Sequence, residues 1–535
     1  MTETTLDTAA FTWSEQQTAI FAWFSKDQNF FDQAVEAGQY DIHIDAEGHL
    51  VVRARAGTGK TTVIIEGVKR SPSRRILICA FSKIIQEELQ ARIGSNFPHI
   101  TAQTLHSVGL ACVRQIMPKI RWKFTNERAD WLTDQVCGEV APDQIKRLVS
   151  KLHTKGREIA PHAKRVGDLT AIAITHECEP EQTWARSGFG LEYVETKALE
   201  AMVLAANVKD GELIDGSDMI FLPVRNGLMV PMYDEVVVDE AQDMTVAQLE
   251  IARGVLRPDG RMAVVGDNRQ AIFAFRGADS DSLDRLKGEL GAGELGLTQT
   301  RRCGRQIVAL ASTLVPDFEA ADTNPDGSVE DLHRDRLVAT AQLGDFILSR
   351  TNAPLVPIAI QLLREKKRAR VAGQDIGRGL KALVRKLRAV SVEDFLVKIE
   401  AWRTREEARV KVQMEAATNG RKAAFQSKIE TINDQAAMLV ELSEGATSMD
   451  NLNERIDYLF TDDGLGEKGV ITCSSVHRAK GLEADRVFVL ADTLRSTNQE
   501  ELNIQYVAYT RAKSTLVLVH KSMDDRHEQR YEEWQ

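Results

Sequence analysis

A chain of 535 residues, 43% hydrophobic and 27% charged, is too long for one core and too apolar for a disordered polymer, so at least two globular domains are expected. Its formal net charge of −10 does not exclude a nucleic-acid partner, because phosphate binding needs a local basic groove and not a basic total. No apolar run approaches the roughly 20 residues of a membrane helix, and the start MTETTLDTAAFTW lacks the basic and apolar regions of a secretion signal, so no membrane partner and a cytoplasmic location are expected. The six cysteines are scattered without a CxxC pair, which suits reduced thiols better than a disulfide frame or a zinc site. HECEP, with His176 and Cys178 close together, is read without a metal.

Up to about residue 110, short apolar runs such as HLVVRA (49–54) and RRILICAF (74–81) alternate with helical stretches. Each run ends at a polar or glycine-containing loop, the βα pattern of a parallel sheet with its function at the strands' carboxyl ends. Residues 111–224 are mostly helical in pattern, with Trp122, Trp131 and Trp184 among charged segments, and are expected to form an insertion. The βα pattern resumes over 225–296 with YDEVVVDE (233–240) and RMAVVGD (261–267). A second α/β unit is expected over 297–375 and 466–535, on DFILSRTN (345–352), RARVAG (368–373), GVITCSSV (469–476), DRVFVLAD (485–492) and STLVLVH (514–520). Between its halves, 376–465 is rich in Lys, Arg, Glu and Ala at helical spacing and reads as a second helical insertion with a solvated charged face.

The strongest local signal runs from Ala54 to Thr62, Ala-Arg-Ala-Gly-Thr-Gly-Lys-Thr-Thr, between the strand HLVVRA and the helical VIIEGVKR. A glycine-rich turn there exposes backbone N–H groups at a helix N-terminus, a cradle for phosphate built from Ala56, Gly57, Thr58, Gly59, Lys60, Thr61 and Thr62. Lys60 can reach the β- and γ-phosphates of ATP, and the Thr61 hydroxyl can ligate Mg²⁺. The strict P-loop pattern has glycine where this chain has Ala54. A nucleotide site also needs carboxylates at the end of a neighbouring strand, and VVVDEAQD supplies Asp239 and Glu240. Asp239 would hold Mg²⁺, and Glu240 would be the base that activates water. Taken alone, two such acids also suit the first turn of a helix, where the dipole favours them.

With VVGDNRQAIFAFRGA (264–278) beside DEAQD, the chain resembles the UvrD/Rep/PcrA helicases of superfamily 1, and further motifs recur in order along nearly all of it. AFSKIIQEEL (80–89), SDMIFLPV (217–224) and VAGQDIGRGL (371–380) are similar to the compact branch that includes the F-box DNA helicases and many phage and bacterial proteins. The resemblance implies two RecA-like P-loop NTPase lobes with parallel sheets, each carrying a mainly helical insertion. The first lobe is then 1–110 with 225–296 and the second 297–375 with 466–535, with insertions 111–224 and 376–465. It implies that Gln16 in WSEQQTAI reads the adenine edge. Phe81, with Thr104 and His106 in TAQTLHS, would line a single-strand path. Gln270 would sense the γ-phosphate, and Phe273 and Phe275 would lie against bases. From the second lobe, Arg302 and Arg511 would meet the γ-phosphate, His477 would stand near DNA and Glu483 near the nucleotide. Two positions depart from the pattern. Arg301 stands where the family has an aromatic residue on the adenine, and Phe275 where a Trp is frequent. The implied activity is an ATP-driven DNA helicase and single-strand translocase working 3′ to 5′ on single strands and duplex junctions. The alternative is a DNA-stimulated ATPase subunit of a repair or phage-defence complex with little unwinding of its own.

Overall fold

Runs of Val, Ile and Leu that bury both faces of a strand belong in parallel sheets covered by helices on each side. In the computed structural model, which describes residues 13–37, 44–176, 178–180, 182–272, 282–415, 419–461 and 469–521, two such sheets form. Phe273 and Phe275 lie outside the described residues. The first sheet holds β1 (Leu50–Ala54), β2 (Ile76–Ala80), β3 (Ile100–Thr104), β4 (Tyr233–Val238), β5 (Leu256–Gly266) and β6 (Gly293–Leu297). Their spatial order is β3-β2-β4-β5-β1-β6, with every neighbouring pair parallel. Register is set by buried residues, for example Val51 opposite Val264 and Ile78 opposite Val237. Because β1, β5 and β4 are adjacent, the loops that leave their carboxyl ends open side by side.

The second sheet holds β7 (Ser328–His333), β8 (Phe346–Ser349), β9 (Ala369–Val371), β10 (Ile471–Ser475), β11 (Ala484–Leu490) and β12 (Ala512–His520). It is again all parallel, in the order β7-β12-β11-β8-β10-β9. The fold class is therefore α/β with two parallel six-stranded sheets.

Strands β3, β6 and β7 are absent from the sequence reading, and β5 begins five residues before RMAVVGD. The reason is physical. ITAQT, GELGL and SVEDLH form edge strands, half covered, so they carry Gln, Glu, Asp and Gly where a central strand carries Val and Ile.

Between β3 and β4 the chain is helical, its longest helices being Leu105–Ile116, Asp143–Ile159 and Leu191–Ala206, around their own core of Leu132, Val149, Leu152, Ala198 and Phe221. At its base Arg157 is fully buried and donates to Asp215 (2.9 and 2.8 Å) and Asp218 (2.5 Å), while Arg128 also reaches Asp218. Breaking such a buried pair is strongly destabilising, so the Asp of SDMIFLPV has a structural partner set. Between β9 and β10 stand the helices Gln374–Leu387, Val392–Glu415, Asn419–Ser443 and Met449–Leu459. Two of them, Val392–Glu415 and Asn419–Ser443, pack together through buried Phe395, Ile399, Trp402, Phe425 and Ile429. Lys428 of this group meets Glu179 of the first group at 2.7 Å, both buried. Among the described residues no helix is long and apolar enough to cross a membrane.

Candidate functional site

The turn after β1 is shaped by two glycines. Gly57 and Gly59 have φ of +69° and +84°, where a side chain would be strained. A Cβ on Gly57 would also stand 2.5 Å from the Arg302 Cβ. The following helix, Lys60–Val68, is N-capped by Gly59 with no capping side chain, which leaves its first turn ready for an anion. Lys60 Nζ reaches Glu240 Oε2 at 2.9 Å. Burial lowers the lysine pKa, but Glu240, Asp267 and Asp239 outweigh it and hold the group above its usual value. The Thr61 hydroxyl is hydrogen-bonded to Asp239. Thr62 faces elsewhere, its hydroxyl accepting from Arg92 at 2.8 Å.

Asp239 and Glu240 leave the end of β4. Glu240 has φ +50°, left-handed and uncommon for a residue with a side chain, which is strain of the kind retained at functional turns. Its carboxylate accepts from Lys60 and, at 2.6 Å, from Gln242 Nε2, while its N–H donates to Asp239 Oδ1 at 2.9 Å. Burial and then the adjacent Glu240 charge push Asp239 up to about 7. For Glu240, burial is outweighed by the charges of Lys60 and Lys480, which hold it down to about 2. Of the two carboxyls, Glu240 is the more readily ionised. Asp239 and Thr61 set a carboxylate and a hydroxyl oxygen side by side, a hard-oxygen pair that fits a magnesium ion.

The loop after β5 completes this side. Asp267 is fully buried, accepting from Arg55 at 2.8 Å and from Gln270 Nε2 at 2.8 Å. Gln242 Oε1 accepts the Asp267 N–H at 3.0 Å, which ties the loop after β4 to the loop after β5.

The second sheet's elements close over this surface. Ala56 and Ile272 pack among buried Phe318, Ile307 and Tyr506, and the Ala56 N–H donates to the Tyr506 hydroxyl at 2.9 Å. Arg302 lies against the glycine turn, paired with Glu483 at 2.6 Å, and Glu483 also binds Lys513 at 2.7 Å. Arg511 is buried to 1% exposure and bonds to the carbonyls of Val507 and Leu482 and the Thr510 hydroxyl, with no carboxylate pair among the described residues. Burial and then the neighbouring Arg302 charge push its pKa down to about 10. Gln16 is fixed by Thr298, donating to its Oγ1 at 2.8 Å and accepting its N–H at 2.9 Å. Arg301 is exposed, and its N–H donates to the Gly57 carbonyl at 3.1 Å.

The remaining residues stand at other strand ends. Phe81, 39% exposed, follows β2. Thr104 ends β3 and caps the helix Leu105–Ile116, accepting the Ser107 N–H at 3.3 Å, with half-buried His106 beside it. Burial pushes His106 below its usual pKa. His477 is half-buried on the short helix Val476–Ala479 after β10.

The family model for the UvrD/REP helicase N-terminal domain matches residues 36–290, and that for the UvrD-like helicase C-terminal domain matches 471–519, together more than half of the chain. The chain belongs to the UvrD/Rep helicase family. F-box DNA helicase protein 1 of Schizosaccharomyces pombe is 24% identical over 524 residues, covering 88% of this chain and 55% of that protein. F-box DNA helicase 1 of Gallus gallus is 24% identical over 531 residues, 89% of this chain and 48% of that protein. ATP-dependent DNA helicase Rep of Escherichia coli is 25% identical over 300 residues, 50% of this chain and 41% of that protein. The chain thus spans about half the length of these relatives.

In this UvrD/Rep family member, several residues that sequence reasoning missed hold the cleft together. Arg55, inside the glycine turn, bridges Asp267 of the first lobe and Asp317 of the second, to which it donates at 2.8–3.1 Å. Lys480, Asn503 and Tyr506 reach from the second lobe to the first. The signal available for Arg55 was a charged residue in a turn otherwise made of small ones.

Proposed function

We propose that this chain is an ATP-dependent single-stranded DNA translocase and DNA helicase working 3′ to 5′, which hydrolyses ATP between its two lobes. The observation that carries the reading is the glycine-turned phosphate cradle, with Lys60 bonded to Glu240 and Arg302 of the second lobe against its Gly57. The cradle's helix N-terminus and Lys60 bind the polyphosphate. Thr61 and Asp239 would hold a magnesium ion, which would supply positive charge beside the phosphates. Lys60 is shared between Glu240 and phosphate, so its transfer to phosphate frees Glu240 to take a proton from water. Arg302 and Arg511 stabilise the charge that develops on the transferring phosphoryl group, which makes turnover depend on lobe closure. Phe81, Thr104, His106 and His477, at strand ends of both lobes, are the contacts for a single strand, whose bases any exposed ring can stack without sequence preference. The family's polarity supports the 3′ to 5′ direction. ATPase rate with and without single-stranded DNA, followed by unwinding of tailed duplexes, tests the reading. A 3′-tailed duplex is expected to be unwound and a 5′-tailed one left intact, and unwinding from a 5′ tail alone would overturn the direction.

Base selection rests on Gln16. Its amide has two donors and two lone pairs, and Thr298 occupies one of each. One N–H and one lone pair are left over, and these are the groups assigned to the adenine edge. Gln16→Ala is expected to bring the KM for GTP close to that for ATP while kcat with ATP stays in range. An unchanged preference would show that Gln16 only anchors Thr298.

A further inference from the structure

The turn Asn268–Gln270 is held from outside its own lobe. Lys480, which follows the second-lobe helix Val476–Ala479, sends its Nζ to both Asp243 oxygens at 2.7 Å and to the Gln270 carbonyl at 2.6 Å. Its side chain is 9% exposed and that of Asp243 5%. Asn503, on the second-lobe helix Gln499–Tyr509, donates to the Asn268 carbonyl at 3.2 Å and the Ala271 carbonyl at 3.1 Å. Three carbonyls within four residues are thus bound by two side chains of the opposite lobe. Among the described residues the first lobe holds the same turn through Asp267, Gln242 and Arg55, at the Gln270 amide, the Gln270 and Arg269 N–H groups, the Asp267 N–H and the Asn268 Oδ1, and bonds none of those three carbonyls from outside residues 268–271.

We propose that Lys480 and Asn503 are positioning residues, a two-point grip through which the second lobe sets the Asn268–Gln270 turn and so aims Gln270 at the nucleotide only when the lobes are together. The geometry favours this over a plain interface contact. Lys480 is charged and nearly buried, so it is spared desolvation loss only while Asp243 and the carbonyl are within reach. When the lobes part, the ammonium returns to water and the turn loses its outer ligands together. Lys480 also lies between His477 and Glu483 in one short segment, so a shift at a strand near His477 reaches the Gln270 turn through three residues. This role of Gln270 rests on the motor reading above. The grip itself does not.

The test uses the full chain with Lys480→Met, Lys480→Arg and Asn503→Leu, read in two ways. Hydrogen–deuterium exchange over residues 267–272 should rise about tenfold in Lys480→Met and less in Asn503→Leu, with exchange over 56–62 unchanged. Under saturating single-stranded DNA, kcat for ATP should fall about tenfold in Lys480→Met while KM for ATP and DNA affinity stay within about twofold, and Lys480→Arg should recover most of both signals. Unchanged exchange and kcat in Lys480→Met would overturn the proposal, as would a uniform rise in exchange across the first lobe, which marks general destabilisation. If the unaltered chain showed no DNA-stimulated turnover, the motor reading would fall, and the exchange result would still decide the grip.

Discussion

Glu240→Gln is expected to slow ATP turnover by roughly 10²–10⁴-fold, the span a positioned general base supplies, while nucleotide and single-strand binding are retained. The geometry makes the retention specific. Lys60 now spends its charge on Glu240 at 2.9 Å, in competition with phosphate. A glutamine still offers an oxygen to Lys60 but no charge, so ATP affinity should hold or tighten. Asp239→Asn should behave differently, because it removes the oxygen pair with Thr61 that suits a divalent cation. That variant should lose magnesium-dependent nucleotide affinity as well as rate. Single-turnover hydrolysis beside a nucleotide titration separates the two. Near-normal turnover in Glu240→Gln would show that another group takes the proton.

Much of this site was legible because it is local. A strand, a glycine turn and Lys60 lie within ten residues, and Asp239–Glu240 sit at the tip of an apolar run, so period and composition suffice to find them. Both sheets were legible in their central strands for the same reason. Strands β3, β6 and β7 were not, since edge positions relax the demand for apolar residues on both faces. The contacts between lobes were least legible. Arg55 and Asp317 are 262 positions apart, and Lys480 and Asp243 237. Nothing in the neighbourhood of either residue marks its partner, because the pairing is created by the packing of two separately coded cores. Motif order supplied Arg302 and Arg511 where local pattern could not. The Thr62 hydroxyl bonds Arg92, which leaves its expected part in the cradle to the backbone N–H.

Arg511→Met should abolish most DNA-stimulated ATP turnover, by roughly 10³-fold or more, the range associated with an arginine that meets transferring phosphate. The expectation rests on how the side chain is housed. Arg511 is 1% exposed, donates to the neutral oxygens of Val507, Leu482 and Thr510, and has as charged neighbours Arg302 and, with a smaller effect, Glu483. Its pKa is pushed down to about 10, yet at neutral pH it stays a cation. Holding such a charge with no carboxylate bonded to it costs stability, which an anion in the cleft would offset. Two consequences follow. Methionine, of similar reach and without charge, should leave the melting temperature unchanged or higher, since it removes a buried cation that no carboxylate bonds and leaves little cavity. Nucleotide should raise the melting temperature of the unaltered chain by mass action and raise that of Arg511→Met much less at the same concentration. A purely structural arginine gives the opposite pattern, a lower melting temperature with turnover per folded molecule preserved. Thermal melts of both proteins with and without nucleotide, beside their ATPase rates, therefore distinguish a phosphate ligand held in reserve from a piece of the second lobe's core.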